Sequence, residues 1–536
     1  MSGAIVESKV SLAGPIAIIA AAAAALLAAA PATAAELLVT AVAERDLGAA
    51  RILLAEGAAA DAALPDGSTA LHAAARNGDL AAVDLLLGAG AGASAATRYG
   101  VTPLSLAAAA GSAAVIARLL DAGADPNETS REGQTVLMSA ARNGNAQALA
   151  LLIDRGANVA ALEPFRGQTA LMWAAGEGNA DAVRVLAAAG ADVRARSAGG
   201  FTALLFAVRE NRVAAARALL ELGADVEDAA PDGTTALNMA VLNAYYDLAA
   251  VLLDFGADPN AADARGSALH TLAWLHKPGS TWDAAALSAE PETAPRPEGR
   301  LGAVDLGRKL LEHGADPNVR ARFKEQPFTI GLGTTMNPPG LMLGRHYLSY
   351  DGATPFYVAA RNGDVRLMEL LAQYGADATL PTATGVTPLM AAAGLDYYEG
   401  ETPGPFVGVS EAERLAAVKL AVKLGNELDA RTDFGEYPMI GDPAGMLLTY
   451  PRNIFDLGDL GVGDPRFDGM TVLHGAVISN QPSIVAYLLE QGADPVATND
   501  LGWTPLMIAE GLFLANAKKE FPIAAEMLRA ALAARE

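Results

Sequence analysis

A glycine returns every 33 or 34 residues through the first half of the chain: Gly57, Gly90, Gly123, Gly156, Gly190, Gly223 and Gly256. A second series keeps step with it. Gly67, Gly100, Gly133, Gly167, Gly200 and Gly233 each precede a threonine by two residues, and the pattern resumes at Gly352, Gly385, Gly469 and Gly502. Self-similarity at this period marks a stacked array, in which one small unit recurs and buries its apolar face only against its neighbours. Length alone would allow the 536 residues to form several globular domains; the period replaces that expectation with a repeat solenoid.

Each unit has a physical reading. The threonine is placed to cap a helix, its hydroxyl accepting from early backbone N–H groups, and Pro103, Pro355, Pro388 and Pro505 follow at the first helical position, where a missing donor does no harm. After "ARNGD" or its equivalent, a second apolar-periodic segment such as "AAVDLLLGAG" runs to the terminal glycine, which suits a left-handed residue past a helix end. Two antiparallel helices and a turn make one unit. Hydrophobic residues are 52% of the chain but aromatics only 5%, so the apolar content is chiefly alanine and leucine, as thin, closely packed helices require.

"GADPN" at 123 to 127, 256 to 260 and 314 to 318, with "TALH", "TPLM" and "GWTPL", resembles the ankyrin repeat family over about residues 36 to 536. The resemblance implies an all-α solenoid of about 12 helix-turn-helix units joined by finger loops, and a non-enzymatic role in binding other proteins. It also bears on "TALHAAARNGD" at 69 to 79, where a histidine beside a threonine has the look of a proton-shuttling site. His270 and His474 occupy the same repeat position as His72, and Ser105, Met138, Met172 and Asn238 occupy it elsewhere, whereas catalysis needs one special copy. In this family such a histidine bonds turns and neighbouring units. His313 sits beside Gly314, where a cation near a helix C-terminus is favourable.

Regularity holds over 35–265 and breaks over 266–536. There the glycine steps lengthen to 58, 61, 50 and 67, through inserts at 277–300, 321–350, 395–411 and 434–467. The first and third interrupt the turn between helices; the second and fourth lengthen fingers. Partners of the family usually dock on fingers and adjacent concave helices, so the two finger inserts are the candidate binding site. Phe328, Tyr347, Tyr350, Tyr437, Tyr450 and Phe455, with Phe323, Phe434 and Phe467, supply aromatic surface, and Arg345, Arg452 and His346 stand among them. Met336, Met342, Met439 and Met446 add adaptable apolar surface. The same loops could instead fold back over the stack.

Other chemistry finds little support. The formal charge of -23 is spread along the chain and argues against nucleic acid, which needs clustered Lys and Arg. With no cysteine there are no disulfides, thiolate nucleophiles or cysteine-ligated zinc. "GLGTTMNPPG" at 331 to 340 holds a lone GxG, better suited to a turn than to phosphate. Asp456, Asp459, Asp464 and Asp468 among glycines offer calcium-type oxygens but at no known ligand spacing, and neither His276 nor His346 has a spaced metal-ligand partner. No cofactor or metal is expected.

At the N-terminus, Lys9, the apolar run Ile16 to Ala30 and the small residues Ala32 and Ala34 form the pattern of a signal peptide over 1–34. The same run is nearly long enough to anchor the chain, though Gly14 and Pro15 weaken an anchor. The final unit, "GWTPLMIAEGLFLANAKKEFPIAAEMLRAAL", resembles the closing repeat of exported bacterial ankyrin proteins, and that resemblance implies a periplasmic or secreted scaffold for a redox or haem enzyme. Two alternatives stay open: a small ligand or metal held in a pocket between the inserts, and self-association of the array.

Overall fold

The computed structural model describes residues 33–263, 266–276, 299–321, 352–395, 409–433, 468–512 and 520–535. Among these are 24 helices and no strand. The chain divides into two compact units, one holding the described residues up to 174 with 179–192, the other 175–178 with 193 onward.

In the first unit, helices pair as Ala34–Ala43 with Leu47–Ala55, Ala70–Asn77 with Leu80–Gly88, Pro103–Ala110 with Ala113–Asp121, and Val136–Asn143 with Ala146–Asp154. Helix Ala170–Glu177 runs across the division, and Ala180–Ala188 follows it. In the second unit, Ala203–Arg209 pairs with Val213–Glu221, Ala236–Leu242 with Tyr246–Asp254, Ala268–His276 with Ala303–Glu312, and Pro355–Arg361 with Val365–Gln373. The series continues with Pro388–Ala393 and Glu411–Lys423, Val472–Ile478 and Pro482–Glu490, and Pro505–Ala509 and Pro522–Ala533. The all-α repeat architecture expected from the glycine periods is the one observed.

The caps fall where the threonines predict. Thr102, Thr135, Thr202, Thr235, Thr354, Thr387 and Thr504 hold extended backbone and accept from the N–H three residues on, with proline next in four of the units. At the other end, the Leu80–Gly88 helix closes with Gly90 at φ +92°. The Gly90 N–H donates to Leu87 O at 3.1 Å and the Ala91 N–H to Leu86 O at 2.9 Å, which satisfies two carbonyls the helix cannot. Between units, each finger is a tight turn: the Gly100 N–H donates to Thr97 O and the Thr97 N–H to Val101 O, both at 2.9 Å.

Apolar side chains from successive pairs form the core. Leu71, Leu86, Leu104, Ile116 and Leu119 are fully buried in the first unit, each worth about 1.5–3 kcal/mol against exposure. Polar bonds then set the register. The last residue of "GADPN" bridges forward: Asn127 Nδ2 donates to Gly156 O at 3.0 Å while its Oδ1 accepts the Asn158 N–H at 2.8 Å. In the second unit Asn260 does the same to Gly314 O at 2.9 Å and Asp316 N at 2.7 Å, across the 277–298 segment that lies outside the described residues.

Where the turn between helices is replaced by the 395–411 insert, another residue takes over its role. In ordinary units a turn side chain donates back to the preceding first helix, as Asn143 Nδ2 does to Ala109 O at 3.0 Å and Asn362 Nδ2 to Ala273 O at 3.0 Å. Arg414, fully buried on Glu411–Lys423, donates instead to Ala392 O at 3.0 Å and Arg361 O at 3.2 Å. Its helix opens with a capping box, Ser410 and Glu413 each accepting the other's backbone N–H, at 3.2 and 2.9 Å.

Candidate interaction surface

The histidine of "TALHAAARNGD" is the candidate for proton chemistry, and its bonds decide its role. His72 Nδ1 faces the Thr69 N–H at 3.1 Å and hydroxyl at 2.9 Å, and Nε2 lies 3.0 Å from Val101 O in the next finger. Since Nδ1 accepts, the neutral ring carries its proton on Nε2 and donates it to the carbonyl. His270 repeats this with Ser267 N at 3.2 Å, Ser267 Oγ at 3.0 Å and Ala353 O at 3.0 Å. So does His474, with Thr471 N at 3.1 Å, its hydroxyl at 2.9 Å and Trp503 O at 3.0 Å. Burial, the largest influence, lowers the pKa of all three, to about 4 for His270 and His474. They are neutral, saturated staples between units, as expected. Asn238, at the same position, donates to Ala261 O at 3.3 Å and Gly266 O at 3.4 Å.

His313 caps the Ala303–Glu312 helix, 3.9 Å from Asp254. His276 ends its helix with a side chain outside the description, and His346 lies outside the described residues. Among the described residues no group of His, Asp and Glu could hold a metal ion, and no helix is long and apolar enough to cross a membrane. Asp456, Asp459 and Asp464 are outside the description, as are Gly331 to Gly340 and the first 32 residues.

The nine residues assigned to partner binding, Phe328, Arg345, His346, Tyr347, Tyr350, Tyr437, Tyr450, Arg452 and Phe455, also lie outside the described residues. What the structure does present is a surface on the first unit that the aromatic count of the inserts overshadowed. Its finger turns touch in series: the Arg98 N–H donates to Asp66 O at 2.9 Å, and the Arg131 N–H to Tyr99 O at 3.4 Å. Gly100 makes this approach possible, because at φ +74° a Cβ there would meet Arg131 N at 2.9 Å. Tyr99 is 52% exposed and Phe165 75%, and Arg98, Arg131 and Arg166 are exposed beside them. The Arg98 guanidinium lies 4.7 Å from the Tyr99 ring centre.

The first helices add a second exposed strip. Arg76, Ala109 and Arg142 are exposed, and Ala73, Leu106, Ser139 and Trp173 are half-buried, with Arg142 5.6 Å from the Trp173 ring centre. Later in the chain the equivalent strip is closed. Every residue of Pro355–Arg361, Pro388–Ala393 and Val472–Ile478 is buried, and Leu395 lies close against Gly475 and Val409 against Gly363.

The glycine periods, threonine caps, finger turns and stapling histidines are joined by family matches along the chain. The "Ankyrin repeats (3 copies)" family model matches residues 38–130, 114–197 and 195–263, and "Ankyrin repeat" models match 351–380 and 468–500. The chain belongs to the ankyrin repeat family. Ankyrin repeats are generally protein–protein interaction scaffolds, and typically non-enzymatic. Among solved structures, the human ASB11 ankyrin repeat domain is similar at 25% identity and a TM-score of 0.37, over 47% of this chain and 100% of that one. No curated protein matches the chain.

Proposed function

We propose that this ankyrin chain is an exported, non-enzymatic scaffold that holds another protein on its fingers and exposed first helices, with the inserts 321–350 and 434–467 adding specificity. The observation that carries the reading is the row of exposed finger side chains on the first unit. Aromatic rings and arginines stand out from turns fixed by backbone bonds, while the histidines that could have done chemistry are consumed in stacking. A periplasmic redox or haem enzyme is the first partner to test, on the resemblance of the closing repeat to exported bacterial ankyrin proteins.

The test is affinity capture with crosslinking, comparing the mature chain with a variant in which both finger inserts are cut to ordinary turns, after circular dichroism shows both folded. A protein held only by the intact chain, crosslinked near Arg345 to Tyr350 or Tyr450 to Phe455, supports the reading. Equal capture by both moves the site off the inserts, and capture by neither favours the ligand-pocket or self-association alternatives. Export is read separately by sequencing the mature N-terminus. Thr33 caps the Ala34–Ala43 helix in a capping box with Glu36, so cleavage after Ala34 removes a cap worth about 1 kcal/mol.

A further inference from the structure

The two fingers that carry inserts close at their roots as an ordinary finger does. In the ordinary finger, the Thr97 N–H donates to Val101 O and the Gly100 N–H to Thr97 O, four residues closing the turn. At the first insert the Ala321 N–H donates to Ala353 O at 2.9 Å and the Gly352 N–H to Ala321 O at 2.8 Å. At the second the Thr432 N–H donates to Met470 O at 2.9 Å and the Gly469 N–H to Thr432 O at 3.0 Å. Both ends of each insert therefore meet on a backbone geometry the regular repeats also use. Closing it is harder, however. With the span growing from 4 residues to 32 or 38, closure entropy alone makes each root about 20- to 30-fold less favourable than an ordinary turn.

One arginine stands at each insert root and opposes that loss. Arg320, just before Ala321, donates from Nη1 to Gly352 O at 3.3 Å and to Pro381 O in the following finger at 2.8 Å. Arg431, just before Thr432, donates from Nε to Gly469 O at 3.1 Å and from Nη2 to Thr498 O in the following finger, with Asp500 3.3 Å from the same nitrogen. A single guanidinium thus ties the far end of the loop to its near end and to the next unit, through charge-assisted bonds. Glycine leaves it room, since a Cβ at Gly352 would meet Arg320 Nη1 at 3.1 Å and one at Gly469 would meet Arg431 Nη2 at 2.7 Å. The same bridge occurs at one ordinary finger, where Arg196 reaches Gly200 O at 2.7 Å and Ala229 O at 3.2 Å. Elsewhere Ala63, Thr129, Leu162 and Pro381 hold the position and cannot make it.

We infer that Arg320 and Arg431 are positioning residues of the binding surface: each clamps both ends of a finger insert against the following finger, so that a protein partner meets the two inserts on roots fixed to the stack. The inference rests on the scaffold reading above and deepens it by assigning two described residues to the insert site. Fixed roots matter to affinity because ordering that is complete before binding is not charged against it. At the second root the clamp is continuous with the row of finger turns, the Asp433 N–H donating to Thr384 O at 3.0 Å and the Asp500 N–H to Asp468 O at 3.1 Å.

The experiment compares the full chain with Arg320→Met/Arg431→Met and with Arg196→Met. All three side chains are exposed, so methionine leaves the core as it is, and circular dichroism checks the fold. Hydrogen exchange on peptides covering 316–321 and 429–433 reports the roots, and on peptides covering 355–361 and 472–478 the stack. In the double variant, protection at the roots should fall roughly tenfold or more while the stack stays within about twofold of the parent. Arg196→Met should loosen its own finger only about threefold or less, because a short turn closes without help. The binding probe is a set of phage-displayed dodecapeptides selected on the parent chain and counter-selected on the chain with both inserts cut to ordinary turns. Their affinity, read by anisotropy of fluorescein-labelled copies, should fall about tenfold in the double variant and stay within about twofold in Arg196→Met. Root protection within about twofold of the parent, or equal loss at roots and stack, overturns the clamp. Opened roots with affinity kept within about twofold overturn its part in binding. A selection that yields no insert-dependent peptide overturns the scaffold reading at the inserts, and the binding role with it, while exchange at the roots shows whether the clamp itself stands.

Discussion

The two fully buried histidine staples predict that acid loosens specific joints of the second unit. His270 and His474 are neutral when folded, with pKa values pushed down to about 4 by burial, against 6.5 for an unburied ring. Between these values the unfolded chain binds more protons than the folded one. Each staple's contribution is therefore fully present above pH 6.5 and is lost as pH falls through the window from 6.5 toward 4. The linkage amounts to about 2 kcal/mol per histidine by about pH 5, and about 3 kcal/mol when complete. Ordinary carboxylates barely titrate above about pH 5, so the window isolates the imidazoles.

A long repeat array does not unfold in one step, so the assay must be local. Hydrogen exchange read by mass spectrometry on peptides covering 471–478, corrected for intrinsic rates, reports the opening of the Val472–Ile478 helix where His474 sits. From about pH 7 to about pH 5, protection there should fall about 30-fold in the parent chain. In His474→Gln it should start lower by about 1–2 kcal/mol, because the bonds to Thr471 and Trp503 are weakened, and then change little with pH. Equal pH dependence in the two chains, or protection that rises on acidification, would refute the assignment of His474 as a neutral staple.

Two further substitutions test the backbone and the insert joint. Gly100→Ala should cost about 2 kcal/mol or more, since positive φ and the approach of Arg131 both oppose a Cβ, whereas Gly90→Ala, with open space around it, should cost only about 1 kcal/mol; hydrogen exchange of peptides covering each turn gives the comparison. Arg414→Met should lower local stability by about 3 kcal/mol, because the carbonyls of Ala392 and Arg361 lose their buried donor, and limited proteolysis around 388–423 should accelerate.

Periodic features were legible in the sequence because each copy answers the same local demand. Thr102 caps and Gly90 turns whatever its neighbours are, and His72, His270 and His474 declared themselves structural by occurring at one repeat position. The "SEAE" capping box at 410–413 was equally local, although the insert around it obscured its role. Features that need a second unit were not legible. Nothing in the linear pattern tells that Arg414 replaces a missing turn, because its acceptors are 22 and 53 residues away. Tyr99 and Phe165 carry no repeating signal, and only the contact of successive turns, Arg131 N–H on Tyr99 O and Pro164 against Gly133, sets them along one edge. The assigned insert residues, from Phe328 to Phe455, lie outside the described residues, so the sequence remains the basis for that site.

The second unit shows why an ankyrin stack can carry long inserts at all. His270 reaches Ala353 O across 83 residues at 3.0 Å, the distance at which His72 reaches Val101 O across 29. Asn362 reaches Ala273 O across 89 residues at 3.0 Å, and Ser479 Oγ reaches Ala393 O across 86 at 2.8 Å. The joints have the same geometry whatever the chain does between them. Doubling a loop costs only about 0.6 kcal/mol in closure entropy, less than one buried hydrogen bond to a staple can return. Inserts therefore burden the stack little, provided each staple is remade. Among the described residues, the first helices at 355–361, 388–393 and 472–478 have no open face, while Arg76, Ala109 and Arg142 keep theirs. For a partner that reads first helices and fingers together, the regular repeats of the first unit offer both surfaces among the described residues.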